Sequence, residues 1–166
     1  MIRCVVDTNV PIIANGRPDP NDVRVPVIEC RIAAVRFLQE LVSKGRLVLD
    51  SAGEMQAEYR PYFSPAGQPG VGDRFYQIVL HSAPHLVERV DLPKRPDGEY
   101  AALPQSLVDV GFDPSDRKFA AMARQEGIPV YNSTDSDWIE ADAALVAEAI
   151  EVRHLCGSDA TKWFAS

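Results

Sequence analysis

A chain of 166 residues, 46% hydrophobic and 25% charged, has the size of one domain with a real core and the mixed composition of a globular protein, which excludes a disordered one. No apolar run approaches the roughly 20 residues that span a bilayer. The 24 acids against 17 bases leave a net charge of −7, which excludes binding a polyanion by bulk electrostatics, since phosphate binding relies on Lys and Arg.

The opening MIRCVVDTNV lacks a signal-peptide layout. Its run Arg3–Asp7 reads as a strand buried on both faces and closed by an acid. The Pro-, Gly- and Asp-rich segment Asn15–Pro26 reads as a loop. Val27, Cys30, Ala34, Leu38, Leu41 and Val42 then recur at helical spacing up to Lys44, with Gly45 as the stop. Arg46–Asp50 is a second strand. Ser51 and Glu54 stand at capping-box spacing, so a helix is expected to start there.

Ser64–Asp73 reads as a turn-rich loop, with Gly67–Asp73 leading into a helix from Arg74 to Ser82. His85–Leu92 is a third strand, suited to an edge, and Pro93–Pro104 an irregular insertion. Asp113-Pro114 has the form of a helix start, with Pro at the first helical position, running to about Glu126. The run IPVYN is a fourth strand, Ser136–Ala149 a helix, and IEVRHLC a last strand. Strands alternating with helices predict a single α/β domain over 1–166, a three-layer sandwich around a mostly parallel sheet.

In such sheets ligands gather beyond the carboxyl ends of the strands, where strand order reverses. Asp7 ends the first strand, Glu58 follows the second by two helical turns, Asp116 opens a helix, and Asp135 follows the fourth strand. Several acids at these element ends also have a structural reading. Asp113 and Asp116 suit a helix N-terminus, Asp135 and Asp137 could cap the helix at Trp138, and Glu54 belongs to the capping box. Asp7 and Glu58 have no such role. Carboxylates brought together repel and raise one another's pKa unless a cation shares the site, and an oxygen-only set suits Mg²⁺ or Mn²⁺ better than zinc. His81 and His85, separated by Pro84, read as surface residues. Cys4, Cys30 and Cys156 are odd in number and without a CxxC pair, and read as buried apolar side chains of a reducing cytoplasm rather than disulfides.

The ordered set VVDTNV, an acid in EMQAEYR, DPSDRKFAAMA and STDSDW resembles the PIN-domain family of metal-dependent nucleases, from Ile2 to about Cys156. By that resemblance Asp7, Glu58, Asp116 and Asp135 match the four family acids and Asp137 a supplementary one. Thr8, Asn9 and Thr134 match small polar positions beside them. The resemblance implies hydrolysis of RNA phosphodiesters with Mg²⁺ or Mn²⁺. It leaves room for an antitoxin protein as partner and for a homodimer. Asn15–Pro26 and Pro93–Gln105 are longer than compact toxin-like members require. The competing expectations are a catalytically silent PIN-like module that binds RNA or protein, and a phosphohydrolase with an aspartyl nucleophile, for which the DxD signature is absent. Arg60, Arg117 and Lys118 are the nearest bases and read as solvated surface charges.

Overall fold

The computed structural model describes residues 1–16 and 23–165. The five apolar runs become β1 (Arg3–Val6), β2 (Arg46–Asp50), β3 (Val87–Val90), β4 (Val130–Asn132) and β5 (Val152–His154). All pair in parallel in the order β3-β2-β1-β4-β5, with Cys4 opposite Leu47 and Val5 opposite Val130. Consecutive residues Cys4, Val5 and Val6, and likewise Leu47, Val48 and Leu49, are fully buried. Helices therefore cover both faces of the sheet, as the unbroken apolar runs require.

The helices are α1 (Asn9–Ala14), α2 (Ile28–Lys44), α3 (Glu54–Tyr59), α4 (Val71–Leu80), α5 (Gln105–Asp109), α6 (Arg117–Glu126), α7 (Asp137–Glu140) and α8 (Asp142–Ala147). α1, α2 and α4 pack on one another, whereas α6 rests on β1, β2 and β4. On α2, Cys30, Ala34, Phe37, Leu38 and Leu41 form the buried stripe, and burying one such Leu contributes roughly 1.5–3 kcal/mol. Phe37 stacks on Tyr131 of β4 with ring centroids 4.1 Å apart. Gly45 follows α2 with an extended backbone, and a Cβ there would lie 2.6 Å from Leu41 Cδ1 and 2.9 Å from its carbonyl oxygen, so the position suits glycine. Gly127 ends α6 in the left-handed region, at φ 63°, which a side chain would strain.

The chain lays β1, β2 and β3 side by side, then crosses to the other flank of β1 for β4 and β5. Strand order thus reverses between β1 and β4. Asp7 and Asp135 leave the sheet on either side of that reversal point.

Several expectations are corrected. No capping box joins Ser51 to Glu54. The buried Asp50 carboxylate accepts the Glu54 and Met55 N–H groups at 2.9 and 2.8 Å, Gly53 takes the left-handed conformation before α3, and Glu54 turns instead to Lys94 Nζ at 2.6 Å and Tyr100 Oη at 2.7 Å. α6 starts at Arg117 rather than Pro114, because Asp113 closes a local turn onto Ser115 N–H and Oγ. The helix expected over 136–149 is two short ones that break at Ala141. α4 begins at Val71, where Asp73 accepts the Gly70 and Ser64 N–H groups, both at 2.9 Å. Gly67–Asp73 is thus a turn into a helix.

Cys30 and Cys156 form a disulfide with Cα atoms 4.9 Å apart, and Cys4 alone is a free, buried thiol. Their separation of 126 residues in sequence hid a contact made by the fold, and with it goes the cysteine argument for a reducing compartment. Part of the loop expected over Asn15–Pro26, residues 17–22, lies outside the described residues. Among those described, no helix is long and apolar enough to cross a membrane.

Candidate metal centre

A cleft of about 430 Å³ opens over the carboxyl ends of β1 and β4 and is lined by Asp7, Glu58, Asp113, Asp116, Asp135 and Asp137 among others. Its floor is built by backbone pairing. Asp7 remains tied to β4, its N–H donating to Tyr131 O at 3.0 Å, and the residue is only 3% exposed. Asp116 precedes the first turn of α6 but makes no capping hydrogen bond. It is buried and turned to the cleft, so its capping reading falls away.

Two buried asparagines shape the segment that carries Asp135. Asn9 Oδ1 accepts Ser133 Oγ at 2.6 Å, Ser133 N–H at 3.1 Å and Thr134 N–H at 3.4 Å. Asn132 grips Asp135 with both ends of its amide, Nδ2 donating to Asp135 O at 3.0 Å and Oδ1 accepting Asp135 N–H at 3.1 Å. Asp135 in turn accepts the Asp137 N–H at 3.0 Å. Asn132 and Ser133 were not singled out in the sequence, where their only signal is two polar residues closing an apolar strand.

One carboxylate oxygen from each of Asp7, Asp116 and Asp135 lies within 4.8 Å of the others, and the same holds for Asp113, Asp116 and Asp137. The electrostatics follow from this crowding. Burial, and then the charge of Asp135, raises the Asp7 pKa well above the usual carboxylate range. Burial, with the charges of Asp7 and Asp135, pushes Asp116 up to about 10. Burial pushes Asp135 up to about 6, against the Asp137 N–H, which favours its ionised form. Asp137 is raised by burial and by Asp113.

Glu58 stands apart from both groups. It lines the cleft, but its Oε1 is engaged by Lys118 Nζ, which also donates to Ser115 O at 3.1 Å. Thr8, Asn9 and Thr134 line the cleft as well; Gly67–Asp73 and Pro93–Pro104 do not. The expectation that Arg117 and Lys118 are solvated charges is corrected. Arg117 pairs with Glu99 at 3.0 Å, and the buried Lys118 with Glu58. Arg60 is exposed, and so are His81 and His85.

The donor set fits a hard divalent cation. It is made of oxygens alone, and two ligands across one Mg²⁺ at about 2.1 Å each lie about 4.2 Å apart, close to the spread found here. The fully buried Trp138 Nε1 lacks a well-formed hydrogen bond, yet its indole favours ionised Asp7, the form that a cation requires.

No family model matches the sequence, and no curated protein does. Among solved structures, that of FitAB bound to an IR36 DNA fragment is similar, at 19% identity over 95% of this chain and 96% of that chain, with a TM-score of 0.47. A likeness of that degree carries no argument about substrate or partner.

Proposed function

We propose that this chain is a PIN-like, metal-dependent endoribonuclease. The observation that carries the reading is the convergence of Asp7, Asp116 and Asp135, three buried or half-buried carboxyls from three separate elements, at the point where strand order reverses. Buried like charges are costly unless a cation shares them. In this reading Asp7, Asp116 and Asp135 hold Mg²⁺ or Mn²⁺, with Asp137 as a supplementary ligand. Glu58 joins the set when its pair with Lys118 opens. Thr8, Asn9 and Thr134 support the set: the Asn9 side chain fixes the turn before Asp135. When bound, the ion supplies Lewis acidity at the scissile phosphate and lowers the pKa of the attacking water. The carboxylates position and need not exchange protons. A toxin–antitoxin pairing and a homodimer belong to the same reading and rest on the motif resemblance.

The test is cleavage of labelled RNA and, in parallel, of a small phosphate monoester. RNA should be cut with Mn²⁺ or Mg²⁺, spared in chelator and spared by Asp116→Asn, with the monoester untouched. Undiminished cleavage in excess chelator would refute the proposal. The Glu58–Lys118 pair favours a second reading, a silent RNA-binding module whose fourth acid is spent on structure. RNA binding without cleavage in Mn²⁺ would select it.

A further inference from the structure

One wall of the cleft comes from a segment that no motif singled out. Phe164 and Arg24 line the same space as the acids. Phe164 is half-buried and outside the apolar core, so core packing does not account for its place. The backbone sets its position instead. Phe164 forms an antiparallel bridge with Pro26, flanked by Val27 N–H to Trp163 O at 2.9 Å and Ala165 N–H to Val25 O at 2.8 Å. The neighbouring Trp163 is buried, its indole donating to Gly157 O at 2.8 Å, and the Cys30–Cys156 bond ties the start of this segment to α2. The Arg24 guanidinium lies over the Phe164 ring, 4.0 Å from its centroid, and steadies its plane. Among the described residues lining the cleft, Arg24 is also the one cation.

We propose that Phe164, steadied by Arg24, is the platform on which an unpaired base of the substrate strand stacks, with the adjoining phosphate over Asp7, Asp116 and Asp135. The proposal rests on the nuclease reading of those acids and names its substrate class, a single strand. Every base has a π-face, so a platform of this kind selects unpaired over paired nucleotides without reading sequence. In a duplex the base is already stacked and out of reach.

The experiment measures binding of a short fluorescent RNA strand by anisotropy in Ca²⁺, with the strand checked for integrity on a gel. Proteins are the wild type, Phe164→Ala, Phe164→Leu and Phe164→Trp, each first melted to confirm folding. Leu keeps the apolar bulk and loses the aromatic face. Alanine and leucine should weaken binding on the order of ten-fold, tryptophan should not, and an abasic strand of equal charge should bind all four alike. Equal binding of the RNA by the wild type and Phe164→Leu overturns the proposal, as does an unbound RNA or an alanine effect that persists on the abasic strand. Mn²⁺-dependent cleavage by the wild type is scored separately. Cleavage with no Phe164 effect sinks the platform and leaves the nuclease reading standing, whereas a Phe164 effect without cleavage does the reverse.

Discussion

Replacing Asp7 by Asn removes one charge from the centre of the acid cluster while keeping its shape. The residue is 3% exposed, and one of its carboxylate oxygens lies within 4.8 Å of an oxygen of Asp116 and of Asp135. At that separation, two ionised groups repel by about 3.5 kcal/mol in an effective dielectric of about 20. The metal-free protein already escapes part of this by holding protons, so the relief is smaller, on the order of 1–3 kcal/mol. For a chain of this length each kcal/mol moves Tm by about 2–4 °C, so Asp7→Asn should melt several degrees above wild type in chelator. Mn²⁺ should then act in the opposite sense. At a hundred times its Kd, an ion stabilises by about 2.7 kcal/mol, and the variant should lose most of that gain together with the nuclease activity proposed above. Thermal melts of both proteins, with chelator and with Mn²⁺, contain the whole test. A variant that melts several degrees lower in chelator and still responds fully to Mn²⁺ would make Asp7 a structural residue and end the shared-metal reasoning.

The remaining predictions concern pH, the cap of α3 and the cysteines. Asp135 titrates near 6 in the fold, above its ordinary value, so the folded chain holds the extra proton: the resulting stability is complete below about pH 4 and is lost as pH rises through 6. Asp135 alone should therefore give metal-free protein about 1–2 kcal/mol in denaturant melts between pH 8 and pH 5, with Asp7 and Asp116 adding in the same sense, and a metal-free stability that instead falls over that range would contradict the crowding. Asp50→Ala strips α3 of two hydrogen bonds, one buried and one partly buried, and should cost about 2 kcal/mol. Glu54→Ala loses a half-exposed ion pair and a tyrosine contact and should cost about 1 kcal/mol or less; equal costs in urea melts would restore Glu54 as the cap. Unreduced protein denatured in urea should titrate one free thiol, that of Cys4, and three would deny the Cys30–Cys156 bond.

β1 and β2 were legible as short unbroken apolar runs, and α2 from buried side chains that recur at helical spacing, because both patterns are carried by neighbouring residues. Asp7, Asp116 and Asp135 were legible for a related reason: in a parallel sheet, strand ends share one rim. What sequence order could not carry is contact across the fold. α1 was missed because NVPIIA has little helical preference; all six residues are buried, and Pro11 sits in the first turn, where a missing N–H costs nothing. The capping box was misread because the spacing of Ser51 and Glu54 is satisfied equally well by an acid one residue earlier, and only the direction of the chain leaving β2 decides between them. Phe164 and Arg24, some 140 residues apart, meet through a bridge that no local pattern announces.

Glu58 shows where the two kinds of information part. By its place in the order of acids Glu58 matches a ligand position of the family that the sequence resembles, and it stands on the cleft wall. Its charge, however, is already balanced by Lys118, which is 8% exposed. Moving the Glu58 carboxylate onto a metal would leave that ammonium buried and unpaired, a loss that costs about 3–5 kcal/mol when a buried pair is broken outright. With Glu58 about one-third exposed, solvent lowers that figure, and attraction to a divalent ion must offset what is left. The pair therefore sets a threshold on the fourth ligand. Asp7, Asp116 and Asp135 converge without it, so three carboxylate oxygens are in place for a cation while Glu58 stays bound to Lys118.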